Sequence, residues 1–380
     1  MQLSTYGMTL AVNWTVLLLS LLVAVGVTGF FALSKVQFGS DKDAGVQKFH
    51  TQPTSRLGGV GISMGLASGV WFSQTYYPHD SLLGVWLLLA SMPVFLGGLV
   101  EDLTHKVTPR MRLCLACLSS GVAYAIFHVG VTRTDIAVLD WLLTFPGVAL
   151  LLTLLVVAGF INSVNIIDGF HGLASGTVII MLLGLASLAM RVEDGLVFRL
   201  SLITAVATLG FAMWNWPFGK IFLGDGGAYL LGLWVVELGL LLPHRTQAIS
   251  PMAPVLVGVY PLLETPYSMY RRKFIRSHPI NHPDALHLHT LIYRRLILNP
   301  ALDVTNKSKN RANAQVALIV WGFAAMPAVL AVYFYEQTSM LLALIGLFAV
   351  AYVYFYGLLI KFRAPVFLMS QSRRVGLTNL

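Results

Sequence analysis

The sequence contains few charged residues. Only 11% of its 380 residues are Asp, Glu, Lys or Arg, whereas 57% are hydrophobic and the mean hydropathy is +0.75. Soluble proteins carry about 25% charged residues, so this composition excludes an ordinary soluble domain. The chain is therefore predicted to be an integral membrane protein.

Cysteine is also scarce, with only Cys114 and Cys117 in the whole chain. They form a C-x-x-C pattern at the start of an apolar run. A redox or metal role would need a partly exposed, electropositive setting or further ligands. We therefore expect both side chains to pack within a helix.

Long apolar runs occupy most of the chain. Eleven of them approach the roughly 17 to 25 residues that cross a bilayer. They lie near residues 9–33, 57–74, 81–100, 113–131, 146–163, 172–190, 198–213, 227–243, 251–270, 314–335 and 338–360. With no internal repeat and no soluble insert, residues 1–380 are predicted to form one all-α polytopic bundle of about 10–11 transmembrane helices.

The cations are distributed unevenly between the two sides of such a bundle. No Lys or Arg precedes the first run, so we expect that run to be a retained helix rather than a signal peptide. If successive spans cross the membrane in opposite directions, only Arg133, Arg191, Arg199 and Arg245 lie on one side, and the other cations lie on the opposite side. The positive-inside rule then predicts an external N-terminus and a cytoplasmic C-terminus.

A formal net charge of +9 can indicate nucleic-acid binding. Here, however, the basic residues lie beside membrane spans, where anionic lipid headgroups and phosphorylated ligands are the nearer partners. We therefore expect no nucleic-acid partner.

Five polar segments interrupt the apolar runs on the predicted cytoplasmic side, near residues 34–56, 101–112, 162–172, 214–227 and 271–313. Polar and charged groups next to hydrocarbon are costly unless they are paired or bind a ligand. The five segments together are therefore predicted to form a functional site.

The first two segments supply cations and acids. Lys48 lies near a turn-forming proline and a Gly-Gly pair, a combination that can hold a phosphate, although ordinary positive-inside anchoring explains it as well. Glu101 and Asp102 are adjacent carboxylates that repel each other, and a nearby cation would reduce that repulsion. One of them could act as a base. The alternative is a pair of surface acids at a helix end.

The third and fourth segments supply candidate metal ligands. Asn162, Asn165 and Asp168 would share one helix face if the segment is helical, although they could also simply cap a span. Asp225 lies among three glycines, which allow a ligand to approach the backbone, and a lone carboxylate of this kind suits Mg²⁺. Taken alone, this G-D-G-G sequence would indicate only a turn.

The fifth segment is basic. Arg276 can bind phosphate bidentately, and His287 and His289 can donate to a diphosphate. A His-x-His metal site and a solvated basic loop are the alternatives. Glu264, in the ninth run, could equally pair within the bundle or take part in catalysis, and Glu237 has no assigned role.

Together, the segments from Lys48 to His289 resemble the polyprenyl-phosphate N-acetylhexosamine-1-phosphate transferase family in order and spacing. The resemblance implies Mg²⁺ or Mn²⁺ dependence and transfer of a sugar 1-phosphate from a UDP-N-acetylhexosamine to undecaprenyl phosphate, with release of UMP. It also implies a multi-pass protein of the bacterial inner membrane whose active site faces the cytoplasm. Its product would start a lipid-linked surface glycan such as O-antigen. Homodimers occur in the family.

The resemblance also implies roles for particular residues. Asp225 matches the metal-binding aspartate, and Asp102 matches the aspartate that activates the lipid phosphate or, in an older proposal, attacks covalently. Asn165 and Asp168 match an N-x-x-D-G motif that would line the metal site. His287 and His289 match the His-x-His of the large loop, which with Arg276 would neutralise the departing UMP, while Lys48 would hold the acceptor phosphate.

Three positions depart from the family pattern. Glu101 replaces the first aspartate of the acidic pair, His171 stands where an aspartate is usual, and Thr290 stands where a further histidine often follows. We keep Glu101 as a catalytic candidate beside Asp102 and Asp168, and His171 as a substrate-binding candidate beside Asn165. The incomplete histidine run argues against the branch that transfers the peptidoglycan precursor. It favours the branch whose donor is a simpler UDP-N-acetylhexosamine.

The rival hypotheses are a secondary transporter and an inactive scaffold with the same fold. A transporter should place polar residues near the bilayer midplane and often has paired, interrupted helices in two halves. Here the polar groups gather at the ends of spans, so the sequence favours an enzyme.

Overall fold

The computed structural model describes residues 12–34, 54–275, 286–298 and 306–361. These residues form an all-α bundle, as predicted. Its helices are α1 (Trp14–Leu33), α2 (Gly58–Ser73), α3 (Pro78–Thr104), α4 (Pro109–Phe127), α5 (Ala137–Leu143), α6 (Pro146–Ile166), α7 (Leu173–Arg191), α8 (Gly195–Asn215), α9 (Gly224–Arg245), α10 (Met252–Val257), α11 (Val259–Tyr270), α12 (Leu288–Ile292), α13 (Asn306–Tyr333) and α14 (Thr338–Ile360). Wider-wound turns at Arg271–Ile275 and Tyr293–Ile297 extend α11 and α12.

Within the described residues, each predicted span corresponds to helical structure. Among the described residues, nine helices are long and apolar enough to cross a membrane: α1, α3, α4, α6, α7, α8, α9, α13 and α14. The second predicted span is the 16-residue α2, and the ninth is divided at Gly258 into α10 and α11. Pro261 contributes to that division because it has no N–H to donate to the carbonyl four residues earlier.

Local sequence explains where several helices begin. Proline, which needs no hydrogen-bond acceptor at this position, is the first residue of α3, α4 and α6. The Thr108 side chain accepts from the Met111 N–H at the start of α4, and Asp194 accepts from the Val197 N–H at the start of α8. Polar residues and prolines at the junctions between the helices therefore help to end one span and begin the next.

Helix α9 is the centre of the bundle, with almost its whole length buried against α2, α3 and α6. Glycines allow this packing. A Cβ on Gly98 of α3 would lie 2.5 Å from the Gly226 nitrogen, and a Cβ on Gly59 of α2 would lie 2.4 Å from the Gly227 nitrogen. Two glycines of the G-D-G-G sequence therefore face neighbouring helices rather than a ligand.

We predict that Gly98→Val destabilises the protein by about 1–3 kcal/mol, because the added side chain must separate α3 from α9. The matched control is Gly159→Val in α6, where a Cβ meets no atom within 4 Å. Thermal unfolding of the two detergent-purified variants should show a lower midpoint for Gly98→Val alone. Equal midpoints would contradict the close α3–α9 contact.

Candidate active site

Asp102 is buried at the end of α3 and caps the central helix α9. Its Oδ1 accepts from the Asp225 N–H at 2.9 Å, and its Oδ2 accepts from the Gly226 N–H at 3.0 Å. The Arg56 Nε lies 3.3 Å from Oδ1. The carboxylate thus satisfies two N–H groups that a helix start leaves without partners, and it lies at the positive end of the helix dipole.

Gly224 makes this approach possible. Its φ is +75°, and a Cβ there would lie 2.1 Å from the Arg56 carbonyl oxygen and 2.5 Å from the Asp102 Oδ2. Both the left-handed backbone and the lack of space require glycine. The segments that contain Arg56, Asp102 and Asp225 therefore meet at one point.

Arg56, Glu101, Asp102, Arg112 and Asp225 form one charged cluster, in which Asp225 contacts both arginines. Its Oδ1 lies 3.1 Å from the Arg56 Nη2, and its Oδ2 lies 3.0 Å from the Arg112 Nη1. The Tyr229 hydroxyl, one turn further along α9, lies 3.5 Å from Oδ2. Asp225 is 6% exposed, so the two guanidiniums offset the charge of a nearly buried group.

Glu101 orients Arg112. The Glu101 Oε1 accepts from the Arg112 Nη2 at 2.6 Å, and Oε2 accepts from the Val107 N–H at 2.7 Å. The Arg112 Nε in turn donates to the Val107 carbonyl at 3.2 Å. Glu101 therefore holds the arginine that contacts Asp225.

The third polar segment does not keep its three side chains on one helix face, because α6 ends at Ile166 and Asp168 follows in a turn. Asn162 donates to the carbonyl of Ala158 in its own helix. Asn165 instead donates to the Tyr229 hydroxyl at 3.1 Å, which joins it to the cluster around Asp225.

Asp168 lies within electrostatic reach of the same cluster. Burial raises the pKa of its carboxyl to about 7, the Asp225 and Asp102 carboxylates act in the same direction, and the Arg56 guanidinium opposes them. Crowding of carboxylates in a poorly hydrated place favours a protonated acid or a bound cation.

His171, predicted to bind substrate, is 3% exposed and packs inside the loop region. Its ring stacks on Phe222 with the centroids 6.0 Å apart, and its Cε1 lies 2.2 Å from the position that a Gly219 Cβ would occupy. Its backbone N–H donates to the Asn313 Oδ1 at 2.7 Å. These contacts pack His171 against the loop before α9, and its assignment to substrate binding stays a prediction.

His287 and His289 form a second group beside the turn after α6. Their rings stack with centroids 5.3 Å apart, and the His287 Nδ1 lies 2.9 Å from the Glu264 Oε1. The His289 Nε2 lies 2.9 Å from the position of a Cβ on Gly169, and its ring meets Phe170 edge-on at 5.6 Å. The histidines therefore adjoin the turn that carries Asp168.

Two predicted site residues, Lys48 and Arg276, lie outside the described residues. The assignments of Glu101, Asp102, Asn165, Asp168, Asp225, His287 and His289 to catalysis or binding stay predictions. What the structure adds is that all of these residues lie at one end of the bundle, on helix ends that the sequence separates widely.

Sequence reasoning missed three residues in or beside the charged cluster: Arg56, Arg112 and Tyr229. Both arginines lie in polar segments that the sequence already indicates, but nothing in the sequence assigns either of them a role of its own. Tyr229 carried a usable signal, since it lies four residues after Asp225 and shares a helix face with it.

A cavity of about 240 Å³ opens at the opposite end of α6 and α9. Its lining is mostly apolar, including Leu152, Val156 and Phe160, and it also includes Arg133 and His244. The Arg133 guanidinium bonds to Gln247 and the Ile249 carbonyl and pairs with Asp135. With its one arginine engaged in this way, the cavity is a less suitable phosphate site than the charged cluster.

Comparison with known proteins identifies a family model and several relatives that this chain resembles. The model of glycosyl transferase family 4 matches residues 85–242, which include Glu101, Asp102, Asn165, Asp168 and Asp225. A probable undecaprenyl-phosphate N-acetylglucosaminyl 1-phosphate transferase of Bacillus subtilis is 29% identical over 278 residues, covering 72% of this chain and 75% of that protein.

Two further relatives extend the comparison. The decaprenyl-phosphate N-acetylglucosaminephosphotransferase of Mycolicibacterium smegmatis is 27% identical over 301 residues, covering 69% of this chain and 70% of that protein. An undecaprenyl-phosphate alpha-N-acetylglucosaminyl 1-phosphate transferase of Thermotoga maritima is 26% identical over 255 residues, covering 66% and 72%. The chain is therefore similar to glycosyl transferase family 4 over residues 85–242, and that region contains Glu101, Asp102, Arg112 and Asp225.

Proposed function

We propose that the protein transfers an N-acetylhexosamine 1-phosphate from a UDP-sugar to undecaprenyl phosphate and so starts a lipid-linked surface glycan such as O-antigen. An oxygen of the acceptor phosphate attacks the sugar-bearing phosphorus of the donor, and the bond from that phosphorus to the bridging oxygen breaks to release UMP. The observation that carries the proposal is the contact of Arg56 with both Asp102 and Asp225 in a chain whose relatives are named for this chemistry.

The charges of the cluster and of Asp168 fit a divalent cation. Glu101, Asp102, Asp168 and Asp225 supply four carboxylates against the two guanidiniums of Arg56 and Arg112. Within the described ranges, no group of three or more Asp, Glu, His or Cys side chains is placed to hold a metal ion. The excess of carboxylates therefore fits Mg²⁺ only as an ion that binds one or two protein carboxylates together with substrate phosphates and water.

Asp225 and Asp168 are the proposed metal ligands, with Asn165 beside them. Bound Mg²⁺, or Mn²⁺, would neutralise charge on the donor diphosphate. Since Arg56 and Arg112 already contact Asp225, their guanidiniums are placed to bind phosphate oxygens at the same position.

The start of α9 supplies a further anion-binding element. Its N-terminus carries partial positive charge, and Asp102 fixes its position by accepting from two of its N–H groups. We propose that Asp102 acts on the acceptor phosphate from this position. Phosphoryl transfer mainly requires placement of phosphates and stabilisation of their charge, and these groups supply both.

His287 and His289 are proposed to neutralise the departing UMP. Their stacked rings lie beside the Gly169–Phe170 turn, next to Asp168. We also propose that Lys48 binds the acceptor phosphate and that Arg276 binds UMP. Both residues lie outside the described residues. A homodimer stays a prediction.

The membrane arrangement agrees with this function. The cluster lies where α2 and α9 begin and where α3 and α6 end, rather than at the middle of the spans, where a transporter usually binds its substrate. We propose that this end faces the cytoplasm of a bacterial inner membrane, where UDP-sugars are made.

We predict that Asp225→Asn lowers UMP release by about 100-fold or more, because a catalytic metal contributes several kcal/mol of charge stabilisation. UMP would be measured by chromatography after purified protein is mixed with UDP-N-acetylglucosamine, undecaprenyl phosphate and Mg²⁺. Asp135→Asn, on an exposed residue at the opposite end, is the matched control and should retain activity. Unchanged turnover in folded Asp225→Asn protein would refute the metal assignment.

Metal removal provides a separate test. Dialysis against EDTA should stop UMP release, and added Mg²⁺ or Mn²⁺ should restore it, because the excess carboxylates need a divalent cation. EDTA already saturated with Mg²⁺ is the control. Full activity after dialysis, with no metal in the protein by elemental analysis, would contradict metal dependence.

Labelling tests the proposed orientation. In a Cys114→Ser, Cys117→Ser background, Lys106→Cys should react with an impermeant thiol reagent only in inside-out vesicles. Thr132→Cys should react only in right-side-out vesicles, because it lies at the other end of α4. The reverse pattern would place the charged cluster outside the cell and eliminate the proposal.

A further inference from the structure

Glu264 is a buried glutamate that the proposed reaction does not use. It lies in the middle of α11 and is 1% exposed. A carboxylate in such a place is costly unless it is paired and hydrogen-bonded. Its contacts therefore indicate what it does.

Three donors converge on the two oxygens of Glu264. Oε1 lies 2.9 Å from the His287 Nδ1 and accepts from the Leu288 N–H at 3.1 Å. Oε2 accepts from the Tyr352 hydroxyl of α14 at 2.7 Å. An ionised carboxylate accepts all three bonds, which requires the hydrogen of the imidazole to be on Nδ1.

This contact determines the orientation of His287. The Leu288 N–H bond fixes Glu264 against the backbone of the histidine segment, and the Tyr352 bond fixes its other oxygen. The His287 ring stacks on His289 at an interplanar angle of 15°, and His289 contacts the turn after Asp168. The carboxylate thus orients the histidine pair without itself facing the charged cluster.

We propose that Glu264 is a positioning residue that fixes the ring of His287, and through it the stacked pair, toward the UMP leaving group. This inference rests on the proposed transferase function. A carboxylate bonded to one ring nitrogen of a functional histidine sets which nitrogen carries the hydrogen and how the ring is turned. Tyr352 extends the constraint to α14, so the last described helix supports the site.

The test compares two substitutions of Glu264. Glu264→Leu keeps a similar volume but removes every acceptor, and it should lower kcat by about 10–100-fold, the usual cost of losing such an orienting group. The donor KM should change far less, because a role in neutralising the leaving group belongs to the transition state. Glu264→Gln keeps an oxygen for Nδ1–H and Leu288 and should retain most of the activity.

A double-mutant cycle distinguishes positioning from general support of the fold. If Glu264 acts through His287, Glu264→Leu should cost little further activity in a His287→Ala background. Additive losses would overturn the proposal. Glu237→Gln is the matched control, since Glu237 is also buried in a span, at 2% exposure, but lies in α9 away from the histidines.

A readout independent of activity completes the test. The side-chain ¹⁵N resonances of His287, identified by their loss in His287→Ala, should report hydrogen on Nδ1 in the unchanged protein and in Glu264→Gln. Glu264→Leu should shift them. Unshifted resonances would overturn the proposal, whereas shifted resonances in a protein that never releases UMP would show that the contact exists and that the transferase function is wrong.

Discussion

The bond between the Asp102 carboxylate and the start of α9 is the interaction on which the rest of the site depends. A helix that begins inside a bundle has N–H groups without helical partners, and burial limits their contact with water. Asp102 accepts from two of them while Arg56 balances its charge. Breaking a buried pair of this kind typically costs about 3–5 kcal/mol. The same bond places Asp225, the first carboxylate of α9, at a defined position.

The charged contacts at the start of α9 depend on the close packing of α3 against α9. The Asp102 side chain reaches the α9 backbone only because Gly98 and Gly226 let α3 and α9 come into backbone contact. Each guanidinium pairs with two carboxylates. Arg56 pairs with Asp102 and Asp225, and Arg112 pairs with Glu101 and Asp225. A ligand that binds Asp225 therefore competes with two arginines and leaves them next to whatever anion arrives with it. Such an exchange suits a substrate that carries phosphates together with a metal ion.

The histidine group approaches the cluster from the other side of the α6–α7 turn. Glu264, Tyr352 and His287 join α11, α14 and the segment before α12 through hydrogen bonds among nearly buried groups. Polar networks of this kind are stable only when each member has a partner, and they hold side chains in one arrangement when that condition is met. The site thus combines an arginine–carboxylate cluster around α9 with a histidine pair anchored on later helices.

The sequence by itself determined the class of the protein, its apolar spans and the polar segments that would converge, because span length and the cost of polar groups in lipid act on consecutive residues. It also singled out Asp102, Asn165, Asp168, Asp225 and the two histidines. Only the tertiary structure decided that Asp102 caps α9, that Glu101 holds Arg112, that two glycines of the G-D-G-G sequence serve helix packing, and that Glu264 pairs with His287. The physical reason is that these contacts join residues on different helices, and the partner of a buried charge depends on which helix ends meet in space.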